Sequence, residues 1–149
     1  MANVGDKIPD FQLKNENDEM INIADYQGQP MVIFFYPKDD SPGCTIEACA
    51  FRDSFQDFTD AGVTVFGVSV DSPKSHTAFK AKHRLPYTLL SDEGNKLRKK
   101  FNVPTDMFGL MPGRVTYVID KAGIVQHLFK SQLKVEQHVQ EALEVIKRL

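Results

Sequence analysis

The fold turns on one run of residues: Met31-Val32-Ile33-Phe34-Phe35-Tyr36, then Pro37-Lys38-Asp39-Asp40-Ser41-Pro42-Gly43, then Cys44-Thr45-Ile46-Glu47-Ala48-Cys49-Ala50-Phe51. An unbroken apolar, β-rich segment, a stretch marked by proline and glycine, and apolar positions at helical spacing together make a strand–turn–helix unit. Residues 31–36 lack the polar alternation of a half-exposed strand, so the strand is predicted to be covered on both faces, as in a parallel sheet. Behind the turn, Cys44, Ala48, Phe51, Phe55 and Phe58 recur at intervals of four and three, which places them on one buried helical stripe.

The same grammar continues outward. Residues 63–70 (VTVFGVSV) and Val115–Ile119 (VTYVI) read as further central strands. The turn Asp120-Lys121-Ala122-Gly123 joins the latter to a second apolar run at 124–129, which predicts a hairpin and an antiparallel edge. Ser72-Pro73 reads as N-cap and first position of a helix reaching about Arg84. A short helix is expected over 94–101, and Val135, Val139, Leu143 and Ile146 give a closing helix an apolar face. The order is a β-rich N-terminal stretch, β-α-β-α-β-α, a hairpin and a last helix. It predicts an α/β three-layer sandwich with a mixed central sheet, over 1–149 as a single domain. Right-handed crossovers then put the start of the Cys44 helix at the carboxyl end of strand 31–36, where open α/β sheets carry their sites.

Composition narrows the function classes. The 149 residues carry 18 Lys and Arg against 20 Asp and Glu, a formal charge of −2, so nothing recommends a nucleic acid or an anionic membrane as partner. The basic cluster Lys96, Arg98, Lys99, Lys100 is expected to be a solvated helix face. No apolar run approaches the ~20 residues of a membrane span, and residues 1–7 show no basic-then-apolar leader pattern. The chain is expected to be soluble, in a bacterial-type cytoplasm or, after loss of a transit peptide, in a plastid stroma.

Two cysteines are too few for a disulfide framework. Cys44 falls in or just before the first turn of its helix, where unpaired backbone N–H groups and the positive end of the helix dipole favour an anion. A thiol of ordinary pKa is only about 3% thiolate at pH 7, and helix N-termini and nearby cations raise that fraction. Periodicity alone is equally consistent with Cys44 as a small core residue. The approach through Pro37, Pro42 and Gly43 favours a positioned thiol, because it fixes the loop just ahead of the sulfur. His76, His83, His127 and His138 are scattered and complete no zinc set with the cysteines, whose spacing also differs from a C-x-x-C dithiol.

P-K-D-D-S-P-G-C resembles the P-x-x-x-[T/S]-x-x-C motif of the peroxiredoxins, and C-T-I-E-A-C is similar to the peroxiredoxin Q, or bacterioferritin comigratory protein, subfamily. The likeness continues through A-F-R-D (50–53), D-S-P-K-S-H (71–76), L-L-S-D-E-G-N-K (89–96) and F-G-L-M-P-G-R-V-T-Y-V-I-D (108–120), and so covers essentially the whole chain. Ser41 is a small departure, since many members carry Thr there. The hydroxyl is kept and a methyl lost.

The resemblance implies a thioredoxin-like fold and a thiol-dependent peroxidase acting on hydrogen peroxide and organic hydroperoxides. Cys44 would be the peroxidatic cysteine and Cys49 the resolving one, with Pro37, Ser41 and Arg114 completing the peroxide pocket. By itself Arg114 reads as a surface cation at a strand start. Displacement at a peroxide oxygen builds charge on the departing oxygen, and Ser41 Oγ, the Cys44 N–H and Arg114 are suitable donors for it. Thioredoxin or a similar dithiol is the expected reductant, with no metal, haem or flavin and no cofactor of any kind. A monomer is expected, because both cysteines can react within one chain.

On an intact helix residues 44 and 49 are about 8.6 Å apart between Cα atoms, beyond the ~7 Å that disulfides reach. Cys49 also points away from the stripe, toward Arg52, Asp53 and Gln56. A Cys44–Cys49 bridge therefore requires the first turns to unwind. Three further points stay open to more than one reading. The apolar loop Phe108-Gly109-Leu110-Met111-Pro112 either lines the pocket, docks a partner or merely packs on the core. Glu47 and Arg52 either tie the helix locally or, the favoured reading, are ordinary surface residues. A peroxide-sensing relay that passes its disulfide to client proteins is the alternative function.

Overall fold

The computed structural model describes residues 3–103, 105–106 and 111–149, with backbone alone at 105–106 and 111–112. Its strands are β1 (Gln12–Asn15), β2 (Met20–Asn22), β3 (Met31–Phe35), β4 (Thr64–Ser69), β5 (Thr88–Ser91), β6 (Thr105–Asp106), β7 (Met111–Pro112), β8 (Val115–Ile119) and β9 (Val125–Lys130). The helices are α1 (Pro42–Asp53), α2 (Phe55–Asp60), α3 (Pro73–His83), α4 (Lys96–Lys100) and α5 (Val135–Ile146). Seven strands form one sheet in the order β2-β1-β5-β4-β3-β8-β9. β3, β4 and β5 run parallel, while β1 against β5, β8 against β3, and β9 against β8 are antiparallel. This is the mixed sheet of a thioredoxin-like fold.

The alternation of β3 sorts the two faces of the sheet. Val32 and Phe34 join Cys44, Ala48, Phe51 and Phe58 of α1 and α2, Phe79 of α3, and Val139, Ala142 and Ile146 of α5. Met31, Ile33 and Phe35 join Leu97 of α4, Phe101, Val103, Phe11 and Tyr117 on the opposite face. All five β3 residues are buried, as their unbroken apolar run predicts. The β3–α1–α2–β4 and β4–α3–β5 crossovers put α1 and α3 on one face, and α1 starts at the carboxyl end of β3.

Two local features depart from the simplest helical reading. The stripe from Cys44 to Phe58 is broken at Ser54 (φ −101°, ψ 6°), which ends α1 and starts α2. Phe51 and Phe58 stay buried across the break, and Phe55 is only half-buried. Arg98 is not part of a solvated basic face. It is 5% exposed, and the cluster splits because α4 lays Leu97 and Arg98 inward while Lys96, Lys99 and Lys100 face solvent.

Gly67 in β4 sits opposite Phe34 of β3. A Cβ there would lie 2.8 Å from Phe34 Cζ and 2.9 Å from Leu89 Cδ2. The missing side chain leaves room for the Phe34 ring, which stacks on Phe51 of α1 at 4.3 Å between centroids and 13° between planes. Overpacking costs about 1–3 kcal/mol, so Gly67→Ala is expected to lose that much stability in a urea melt. An unchanged midpoint would show that the Phe34–Phe51 stack is not confined by this contact.

Candidate active site

Ser41 occupies the position before α1 in extended geometry (φ −72°, ψ 151°) and Pro42 takes the first helical position, so Cys44 is the third residue of the helix. Backbone N–H groups of a first turn have no partner inside the helix and point at whatever lies before it. The loop ahead of them is held from below. Asp39 is buried and accepts hydrogen bonds from Tyr36 Oη (2.6 Å) and Ser75 Oγ (2.8 Å), and its Oδ2 lies 2.7 Å from His76 Nδ1. Its own N–H donates to Asp71 Oδ2 at 2.8 Å. Next to it, Asp40 adopts a left-handed conformation (φ 63°) that a short polar side chain tolerates, and it pairs with Lys82 and His83. The D-S-P-K-S-H segment at the start of α3 thus anchors the turn that the proline and glycine pattern marks.

Cys44 is 1% exposed, and both cysteines are free thiols. Arg114, just before β8, sends Nη2 to within 3.3 Å of Cys44 Sγ and donates from Nη1 to Glu47 Oε1 at 2.6 Å. Its Nε donates to the Gln132 carbonyl at 3.3 Å. Arg114 is therefore not a surface cation: it is 3% exposed, and its plane bridges two α1 side chains one turn apart. Gly43 makes this approach possible, since a Cβ at that position would stand 3.1 Å from Nη2.

Pro37 is buried at the exit of β3. Ser41 is half-buried, and its hydroxyl donates to the Lys38 carbonyl at 2.9 Å rather than capping the helix. Cys49 is half-buried on the same helix. With α1 unbroken from Pro42 to Asp53, helical geometry holds the cysteines about 8.6 Å apart between Cα atoms. Arg52 behaves as expected of a partly exposed residue, pairing with Asp53 and donating to the His83 carbonyl at 2.8 Å. Residues 108–110 of the apolar loop, and the side chains of 111 and 112, lie outside the described residues.

Three site residues escape a reading of the sequence alone. Glu47, expected at the surface, is completely buried; its place three residues after Cys44 on the apolar stripe is the available signal. Arg98 donates to the Gly113 carbonyl at 2.7 Å and the Tyr36 carbonyl at 3.4 Å, and its guanidinium lies 5.5 Å from the Phe35 ring. It ties together the residues preceding Pro37 and Arg114. Burial pulls its pKa down to about 10, so it remains a cation at neutral pH. His138 is fully buried, with Nδ1 2.8 Å from Thr116 Oγ1 and 3.6 Å from Glu47 Oε2. Burial pushes Glu47 up to about 7 against the opposing pull of Arg114, and pulls His138 down to about 4.

A buried thiol at a helix start, with a guanidinium on its sulfur and a tethered Pro/Gly turn before it, is equipped to hold and use a thiolate. Known proteins of similar sequence and structure point the same way. The AhpC/TSA family model matches residues 4–128. Chloroplastic peroxiredoxin Q of Populus jackii is 50% identical over 148 residues, covering 99% of this chain and 70% of that protein. Its counterpart from Arabidopsis thaliana is 52% identical over 146 residues, covering 98% and 68%. Peroxidoxin BcpB from Mycobacterium tuberculosis superimposes with a TM-score of 0.91 at 30% identity, covering 100% of this chain and 99% of that one. Xanthomonas campestris bacterioferritin comigratory protein, studied for alkyl peroxide reduction, gives 0.84 at 31% identity over 93% and 90%. The chain belongs to the AhpC/TSA family and is a thiol-dependent peroxidase. Within that family it stands with the peroxiredoxin Q and bacterioferritin comigratory proteins, and the relay alternative is not favoured.

Two outcomes are expected. In Gly43→Ala the new methyl displaces Nη2 from Sγ, so the second-order rate of peroxide consumption should fall about tenfold, equivalent to ~1.4 kcal/mol; an unchanged rate would show that this contact is dispensable. The second concerns pH. A carboxyl raised from 4.5 to about 7 contributes stability that is lost as pH rises across that window. An imidazole lowered from 6.5 to about 4 contributes stability that is lost as pH falls across its own. The two slopes oppose each other where they overlap. Measured against wild type, the stability of Glu47→Gln should therefore improve as pH rises from 4.5 to 7, and that of His138→Asn should worsen from 4 to 6.5. Each amplitude should be about 1–3 kcal/mol in urea melts across the pH range; parallel profiles would refute the assignment.

Proposed function

We propose that Cys44 is the peroxidatic nucleophile and Cys49 the resolving thiol of this peroxidase, and that Arg114, Ser41 and Pro37 form the pocket for the reacting peroxide. The observation that carries this reading is the 3.3 Å contact from Arg114 Nη2 to Cys44 Sγ inside a buried helix start. The guanidinium neutralises the thiolate. It also offers an N–H to the peroxide oxygens as charge moves from sulfur onto the departing oxygen, the kind of fixed donor that lowers such barriers by several kcal/mol. Ser41 joins by turning its hydroxyl from the Lys38 carbonyl to the peroxide, and Pro37 shields the sulfur side of the pocket. Sulfur attacks one peroxide oxygen, the O–O bond breaks, and Cys44 becomes a sulfenic acid while an alcohol or water departs.

The Cys49 sulfur then displaces water from the sulfenic acid, closing a Cys44–Cys49 disulfide after the first turns of α1 open. Thioredoxin or a related dithiol reduces the bridge. Hydrogen peroxide and organic hydroperoxides are the proposed substrates, the latter supported by the alkyl peroxide work on the Xanthomonas protein. The shared helix makes a second subunit chemically unnecessary, which supports a monomer. The plant relatives are chloroplastic and longer than this chain, so a plastid stroma is one proposed location and a bacterial-type cytoplasm the other. No helix among the described residues is long and apolar enough to cross a membrane.

Intact-mass analysis after one equivalent of hydrogen peroxide tests these assignments. Wild type should lose two hydrogens to a disulfide. Cys49→Ser should gain one oxygen and, with excess peroxide, two, whereas Cys44→Ser should stay unchanged and consume no peroxide. Hydrogen exchange on the disulfide form should show lost protection in the first turns of α1. Peroxide turnover by Cys44→Ser, or identical exchange in the two redox forms, would refute the nucleophile or the opening step respectively.

A further inference from the structure

Behind the thiol, two buried titratable groups face each other across a gap. Glu47 Oε2 lies 3.6 Å from His138 Nδ1, and both side chains are fully buried. Oε1 of the same carboxyl takes the Arg114 hydrogen bond, but Oε2 accepts none among the described residues. His138 Nε2 is 2.7 Å from the Ser131 carbonyl, which can only accept, so Nε2 carries a hydrogen. In a neutral ring Nδ1 is then a single lone pair that takes one donor at a time, either the Thr116 hydroxyl at 2.8 Å or a proton on Glu47 Oε2. An ionised Glu47 would therefore aim one lone pair at another in a dry interior, where an unmatched polar atom is costly.

Charge counting leads to the same place. The titratable groups facing this pair are Cys44 from α1, Arg114 from the start of β8, and Tyr87 before β5, whose hydroxyl donates to the Ala48 carbonyl at 2.7 Å. Tyr87 is held neutral by its burial and by Glu47. While Cys44 is a thiol, the Glu47 carboxylate and the Arg114 cation balance. Once Cys44 is a thiolate, two anions share Arg114, since Arg98, the other buried cation that Cys44 feels, is already matched by Asp92, and one proton on the pair restores neutrality. Burial, which raises Glu47 and lowers His138, puts that proton on oxygen rather than nitrogen.

We infer that Glu47 and His138 form a proton-holding pair: Glu47 Oε2 carries a proton directed at His138 Nδ1 whenever Cys44 is a thiolate, and gives it up when the sulfur is oxidised. This inference rests on the reading of Cys44 as the attacking thiolate. The balance closes without any further reactant. Thiol ionisation moves one proton from the Cys44 position to the pair. In the peroxide step the S–O bond forms, the O–O bond breaks, sulfur loses two electrons and the peroxide gains them. The departing alkoxide or hydroxide takes up one proton as the pair releases one. His138 is on this view a positioning residue, acting on the sulfur only through Glu47 and Arg114.

Infrared difference spectroscopy of the full chain at pH 7, reduced against peroxide-oxidised, reads the proton directly, with thiolate absorbance followed in the ultraviolet on the same sample. The expected result is loss of a protonated-carboxyl stretch on oxidation of wild type, absence of that change in Glu47→Gln, and a displaced band in His138→Asn. Thiolate present with no carboxyl change in wild type would overturn the proposal while leaving Cys44 as nucleophile, and so would a band that persists in Glu47→Gln. If peroxide fails to consume the Cys44 thiolate at all, the underlying reading falls first. The wild-type measurement stands alone should either variant fail to fold.

Discussion

Everything at this site is arranged around a single buried guanidinium. Arg114 has a carboxylate on one side at 2.6 Å and a sulfur on the other at 3.3 Å, with almost no solvent to screen either. Taking a charge out of water is expensive unless it is paired and hydrogen-bonded, so the fold must deliver partners to every edge of that plane. Glu47 and the Gln132 carbonyl supply two of them. The third edge meets Cys44, whose sulfur is thereby placed where an anion is welcome. The cost of burying Arg114 and the readiness of the thiol are one constraint seen from two sides.

That constraint explains why the surrounding elements look as they do. α1 must start against β8, which demands a glycine at 43 and a loop short enough to turn the chain at the end of β3. The loop is stiffened from α3 through Asp39, Ser75 and His76, and from α4 through Arg98, which grips the carbonyls of Tyr36 and Gly113. α5 closes the rear with His138. The aromatic stack of Phe34 on Phe51 fixes the height of α1 above the sheet. Four separate helices therefore meet the chemistry, although only one carries the cysteine.

Much of this was legible in the sequence. The unbroken apolar runs 31–36 and 63–70 read as covered strands, and the spacing from Cys44 to Phe58 as a helical stripe packed on them, although the break at Ser54 left no mark in that spacing. The thiol's place at a helix start followed from Pro42 and Gly43. What stayed hidden were polar residues whose meaning lies in another element. Glu47 and His138 both fall on apolar stripes, a visible oddity, but nothing local says that they face each other across α1 and α5. Arg98 stands among lysines in a segment whose composition reads as solvated, and only the register of α4 turns it inward. Arg114 likewise needed a family resemblance, because its partners lie sixty-seven and seventy residues away in sequence. Periodicity reports which side of an element is dry. It does not report which charge waits on the far side.

The far end of α1 has a consequence of its own. Tyr87 holds the Ala48 carbonyl and Arg52 holds the His83 carbonyl, while Asp39 fixes the chain on the other side of the thiol. Cys44 is thus moored five residues from one post and four from the other. At no more than ~3.6 Å per residue, even a fully extended tether lets its Cα stray only about 14 Å from that of Ala48. In the proposed resolving step, a sulfur on so short a leash would meet its neighbour at position 49 at an effective concentration of roughly millimolar, well above what a dilute thiol from another molecule offers. The same moorings confine any opening to a few residues, so the core beneath need not loosen for the helix start to move.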